Sequence, residues 1–120
     1  MCVLKSLETG NNSIFKNGSE KIFQMPDGSF IYHLNTHETN LTFQEIFIDD
    51  VYFKHNLNLP QNSYIFDIGA NIGLFSIQAK IKYPKSNIFS FEPSPELYKL
   101  LFLNTKKFYS TVKTFQCGIS

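Results

Sequence analysis

Apolar and polar positions change rhythm twice along the chain. The stretch E-K-I-F-Q-M-P-D-G-S-F-I-Y-H-L-N sets two short apolar runs about Pro26-Asp27-Gly28. Proline and glycine in these places favour a reversal, so the stretch predicts a β-hairpin. Residues 1–19 ahead of it are polar, with Gly10, Asn11, Asn12, Asn17 and Gly18, and read as a loose leader. After the hairpin, T-H-E-T-N-L-T-F-Q-E-I-F-I-D-D-V-Y-F-K-H carries a helical period. Thr42 as N-cap with Glu45 three residues on makes a capping box, and Leu41 and Ile46 are placed for a hydrophobic staple. Phe43, Ile46, Phe47 and Val51 then share one face, while Glu45, Asp49 and Asp50 line much of the other. Acids on such a face are ordinarily solvated. The sharper alternative is that Tyr52 and its neighbours cap a ligand pocket.

From residue 63 the pattern shortens. S-Y-I-F-D-I, S-N-I-F-S-F-E and T-V-K-T-F-Q-C are apolar, β-branched or aromatic runs of strand length. Between them, residues 72–82 have helical spacing that stops before Pro84, because the residue ahead of a proline disfavours the α region. Ser94-Pro95 opens a second helix with a serine N-cap and proline at its first position. The order is β-α-β-α-β, which predicts a parallel sheet covered on both faces by helices.

Composition narrows the function classes. The chain has 120 residues with 42% hydrophobic and 18% charged residues, enough for one globular domain. Net charge is +1, which gives no pull toward a polyanion. All 11 basic residues are Lys. Without Arg, the usual bidentate reader of guanine and phosphate, a nucleic-acid partner is not expected. Cys2 and Cys117 sit at opposite ends, with no Cys/His cluster, so no disulfide framework and no metal site are predicted. No apolar run reaches the ~20 residues of a membrane span. A cytoplasmic protein without a membrane partner is the expectation.

The candidate chemistry lies at the first turn of the β-α-β-α-β unit. Asp67, Gly69, Asn71 and Gly73 fall beyond the end of the first parallel strand, where such sheets bind ligands. Gly69 suits a tight turn with positive φ, and Gly73 lets the helix start pack closely on strand or ligand. Glu92 ends the second strand about twenty residues later, where an acid can accept from both hydroxyls of a ribose. The dinucleotide fingerprint places a glycine where Asn71 stands; a side chain there crowds a pyrophosphate. Asp67 repels phosphate and suits an ammonium group. An adenosine-type ligand with an ammonium and no phosphate is S-adenosyl-L-methionine.

D-I-G-A-N-I-G-L-F-S and F-E-P-S-P-E resemble the glycine motif and ribose-acid motif of class I S-adenosylmethionine-dependent methyltransferases. G-A-N-I-G followed by F-E-P-S-P-E, with the approach E-I-F-I-D-D-V-Y-F and Leu59-Pro60, looks most like the FkbM family. The resemblance covers residues 39–120. It implies a Rossmann-like fold and O-methylation of a sugar, lipid or natural-product hydroxyl, on a small-molecule or carrier-bound acceptor. By position it implies cofactor contacts for Asp67, Gly69, Asn71, Gly73 and Glu92, with Pro93 bordering the adenine and Gln116 and Cys117 beside its edge.

The family fold continues beyond three strands, so the resemblance divides the chain into a leader and hairpin (1–38) and a partial methyltransferase domain (39–120). The first parallel strand, which belongs inside a sheet, becomes an open apolar edge. A second chain or a missing C-terminal half is expected to complete the sheet, and the 120-residue piece alone is expected to be inactive. No catalytic base can be named: His33, His37 and His55 qualify by chemistry alone and read as surface residues. The competing readings are a non-catalytic cofactor-binding or assembly fragment and, against Asn71, a nicotinamide dehydrogenase.

Overall fold

A computed structural model describes residues 21–25, 27–55, 58–108 and 110–119. The leader, Cys2 and Pro26 of the predicted hairpin turn lie outside the described residues. Strands β1 (Lys21–Gln24) and β2 (Phe30–His33) pair antiparallel, Lys21 opposite His33. Asp27 Oδ1 accepts from both the amide and the hydroxyl of Ser29 and shapes the reversal.

Helix α1 spans Thr36–Phe43 and runs into a π-helical turn, Gln44–Ile48. It starts earlier than the Thr42 cap predicts. Asn35 is the N-cap, its side chain accepting from the Glu38 amide at 3.1 Å. Asn35-x-x-Glu38 satisfies the same capping rule as Thr42-x-x-Glu45, and a buried contact decides between them. Thr39 donates its hydroxyl proton to the Asn35 carbonyl at 2.8 Å, so His33 Nδ1, 2.9 Å away, supplies the proton of the His33–Thr39 bond. His33 is therefore a buried structural residue rather than a surface one. Burial, then the nearby Lys21 charge, lowers its pKa. Leu41 is exposed and staples nothing, whereas Ile46 is buried.

Strands β3 (Tyr64–Ile68), β4 (Asn87–Phe91) and β5 (Val112–Phe115) form a parallel sheet in that order. Helix α2 (Leu74–Lys82) links the first pair and α3 (Pro95–Thr105) the second. As predicted, Ser94 caps α3 with Pro95 at its start. Crossovers between parallel strands are right-handed, so two that step in the same direction put both helices on one face. The contacts agree. Asp67, Ser90 and Thr114 lie in register across the sheet. Ser76 of α2 bonds Asp67 and Ser90, and the Tyr98 hydroxyl of α3 lies 3.3 Å from that of Thr114.

The expectation of helices on both faces is thereby corrected. The alternate residues Tyr64, Phe66, Ile68, Phe89, Phe91 and Phe115 form an aromatic face that no described element covers. Phe66 and Phe89 stack at 5.4 Å and Phe91 and Phe115 at 5.0 Å, while Phe66 remains 61% exposed. β3 ends the sheet, so its outer edge is unpaired by any described strand.

The helices pack on the sheet through Ala79, Ile88 and Val112, and through Tyr98 and Leu101 near Ala70. Their other sides bury Leu74, Ile77 and Leu100 with Met25, Ile31 and Ile46 of the hairpin and π turn. Asn104 of α3 fixes the hairpin to this layer. It accepts from the Tyr32 amide at 2.8 Å and donates to the Tyr32 and Ile72 carbonyls at 3.0 and 2.8 Å. Cys117, which the sequence treats as a small apolar core residue, is buried. No described helix is long and apolar enough to cross a membrane.

Candidate functional site

The turn from β3 into α2 is built by alternation. Gly69, Asn71 and Gly73 take positive φ of 74°, 55° and 96°, a conformation L side chains reach at a cost. Gly69 and Ala70 both donate their amides to the Phe91 carbonyl at 2.9 Å, which draws the turn over the end of β4. Glu92 completes the clasp: Oε1 accepts from the Asn71 amide at 2.9 Å and Oε2 from the Ser94 amide at 2.8 Å. One buried carboxylate thus holds the left-handed turn and the start of α3 together.

Asp67 lies beneath the turn, 7% exposed, and accepts from Ser76 Oγ, which also contacts Ser90 Oγ. Burial raises its pKa above the ordinary 3.8; the Ser76 hydrogen bond works against this, and the negative charge of Glu92 adds to it. The two acids feel one another through the turn.

A cleft of about 460 Å³ opens here, within the usual range of small-molecule sites, about 300–1,000 Å³. Its floor is Asp67, Gly69, Ala70 and Asn71; its walls come from α1, the π turn, Tyr52 and the start of α2. Among the described residues, three carboxylates line it, on Glu38, Glu45 and Asp67, and no Lys, Arg or His does. Phe75 and Tyr52 supply aromatic surface, while Phe66 borders the cleft at the β3 edge with its ring turned to the opposite face of the sheet. Such a lining favours a cation with an apolar body and disfavours phosphate.

No family model matches the chain. The 31-O-demethyl-FK506 methyltransferase FkbM of Streptomyces tacrolimicus is 32% identical over 97 residues, 81% of this chain and 37% of that protein. Methyltransferase sdnD of Sordaria araneosa is 44% identical over 91 residues, 74% of this chain and 34% of its own. A 96-residue stretch, 80% of this chain, is 35% identical to 4% of the AMB antimetabolite synthetase AmbE of Pseudomonas aeruginosa. By sequence, the chain is similar to FkbM-type methyltransferases over 74–81% of its length. It spans about a third of the length of the FkbM and sdnD relatives.

Of the residues singled out in the sequence, the fold brings Asp67, Gly69 and Asn71 to the cleft. Glu92 stands behind the turn, one hydrogen bond from Asn71. Pro93 is exposed and lies near Gly118, and Gln116 is half-buried at the end of β5. Gly73 packs against α3 rather than against a strand. A Cβ built on it would lie 3.0 Å from Leu101 Cδ1 and 3.2 Å from Thr105 Cγ2. Gly73→Ala adds this crowding to a left-handed φ. A loss of about 2–3 kcal/mol is expected, read as a lowered urea midpoint. An unchanged midpoint would mean that the turn does not depend on glycine.

Sequence reasoning missed Ser76, Glu38 and the role of Glu45. Ser76 gives a faint signal: a small polar residue among the apolar residues that open the helix, nine positions after the acid. Glu38 and Glu45 reach the cleft through tertiary packing of α1, which local pattern does not report. Tyr52, the open alternative of the sequence, lines the cleft.

Proposed function

We propose that the cleft binds S-adenosyl-L-methionine and that the chain carries the cofactor-binding part of an O-methyltransferase. The observation that supports this best is the carboxylate- and aromatic-lined cleft, free of cationic side chains among the described residues, over a β-turn-α junction whose central position is Asn71. In this reading Asp67 accepts from the ligand's ammonium, and the Asn71 side chain and the acids keep phosphate out. Each Glu92 oxygen retains a lone pair beyond its backbone bond, which this reading assigns to a ribose hydroxyl with Pro93 bordering the adenine, although neither residue lines the cleft. When bound, the cofactor supplies an electrophilic methyl group. The chain's own residues fix the ligand's orientation and exclude competing ligands, and orientation is itself a large part of the rate of such a transfer.

The acceptor is proposed to be a hydroxyl of a natural product, sugar or lipid, free or carrier-bound. The substrate in the name of the FkbM relative, an O-demethyl compound, supports an oxygen acceptor. A second reading, a cofactor-binding or assembly module without activity of its own, is favoured by the uncovered aromatic face and β3 edge. A strand added to that edge steps opposite to β4, and right-handed crossovers then place its helices on the aromatic face. One polypeptide, in the same chain or another, would fill both surfaces.

Titration calorimetry with S-adenosylhomocysteine is the test. Saturable one-to-one binding is expected, with no heat from NAD. Binding of NAD in its place, or of neither ligand, would overturn the reading. Methyl transfer that appears when the remaining two thirds of an FkbM-type relative is supplied would favour the split enzyme, and cofactor binding with no transfer under the same conditions would favour the assembly module.

A further inference from the structure

Resting on that cofactor reading, we propose that Tyr52 and Glu45 make the cleft selective for the charged, methylated cofactor over its neutral-sulfur product. The two ligands share adenosine, ribose, carboxylate and ammonium. They differ in one methyl group and in the charge on sulfur. Asp67, set against the ammonium, meets the same group in both and cannot tell them apart. Discrimination needs groups that sense the sulfonium.

Glu45 belongs to the π-helical turn Gln44–Ile48, where the widened helix re-aims side chains, a feature often found at functional sites. Ile46 beside it is buried in the core, while Glu45 lines the cleft. The Glu45 carboxylate makes no hydrogen bond or ion pair among the described residues. Lys82, on the neighbouring α2, is engaged by Asp50 at 2.6 Å. The charge of Glu45 is therefore available to a ligand.

Tyr52 stands on the same cleft, propped by an aromatic stack. Its ring meets Phe75 edge-to-face at 4.9 Å and 71°, and Phe75 stacks on Phe53 at 5.5 Å. The far end of this stack already faces a cation: Lys82 Nζ lies 5.6 Å from the Phe53 ring centre. Aromatic faces attract cations electrostatically and hold a neutral thioether only through weaker sulfur–aromatic contacts. An aromatic ring and a free carboxylate facing one cavity, with no competing positive side chain, fit a sulfonium.

The test is calorimetry on the full chain with S-adenosylmethionine and S-adenosylhomocysteine, comparing wild type with Tyr52→Leu, Tyr52→Phe and Glu45→Gln. Both positions are exposed, and circular dichroism reports whether each variant keeps its fold. Tyr52→Leu and Glu45→Gln are each expected to weaken the methylated form about three- to tenfold and to leave the product within about twofold. Tyr52→Phe, which keeps the ring, should keep the wild-type ratio. Equal weakening of both ligands, or an unchanged ratio in both Tyr52→Leu and Glu45→Gln, overturns the proposal. Failure of wild type to bind either ligand overturns the cofactor reading instead, and this inference with it.

Discussion

Asp67→Asn is expected to raise the melting temperature of the chain at neutral pH and to remove most of its cofactor affinity. The two effects have one origin. Burial, with the Glu92 charge adding to it, raises the Asp67 pKa, so the ionised carboxylate is disfavoured in the folded state. A group whose folded pKa lies above its unfolded value supports folding below the unfolded value and withdraws that support as pH rises through the folded one. At neutral pH Asp67 therefore costs stability. Asparagine keeps an oxygen that can accept from Ser76 and carries no charge. The gain over wild type should be full above the raised pKa and should vanish as pH falls below the ordinary 3.8. The same charge would be the partner of the ligand's ammonium, and truncating one member of such a pair costs about 2–5 kcal/mol, a loss of about thirtyfold or more. Melting curves across pH and calorimetry with S-adenosylhomocysteine read both effects. A variant less stable at neutral pH with unchanged affinity would remove Asp67 from the site.

Glu92→Gln is expected to act with the opposite sign on stability. Both Glu92 oxygens accept from backbone amides, on Asn71 and Ser94. A glutamine has one oxygen, so its NH2 must confront one of these donors. One charge-assisted bond is lost and a buried N–H is left unpaired, for about 2–4 kcal/mol. That is a large share of the 5–15 kcal/mol of ordinary folding stability. Asn71 loses the tether that holds its left-handed φ, the turn relaxes, and cofactor affinity falls with it. Urea unfolding measures the loss. A change within about 0.5 kcal/mol, the usual range for surface substitutions, would show that the clasp does not hold the turn. The two variants are informative together. Both lose the ligand, but one gains and the other loses stability, which separates a binding carboxylate from one that also organises the fold.

The order of elements was legible because each is marked locally. Ser94-Pro95 stops one element and starts the next, Gly69 and Gly73 permit backbone that other residues resist, and runs such as Tyr64–Ile68 have strand length. Asp67, Gly69 and Asn71 could be tied to one site because a parallel strand followed by a glycine turn places them at its end. The helix start was not settled. Asn35 and Thr42 are both acceptable caps, and the His33–Thr39 contact, made across two elements, selects the first.

Local chemistry in the sequence by itself determined the β-α-β-α-β order, the glycine turn and the acids on either side of it, because caps, turns and strand runs act over a few residues. Only the tertiary structure decided which way each strand faces. Asp67, Ser90 and Thr114 turn toward the helices, where Ser76 and Tyr98 meet them, and the phenylalanines between them turn outward. Alternation alone would bury the phenylalanines and expose the polar residues. Helix placement follows the handedness of crossovers, a property of how whole units connect, and this brings Glu38, Glu45 and Tyr52 over Asp67 to form the cleft.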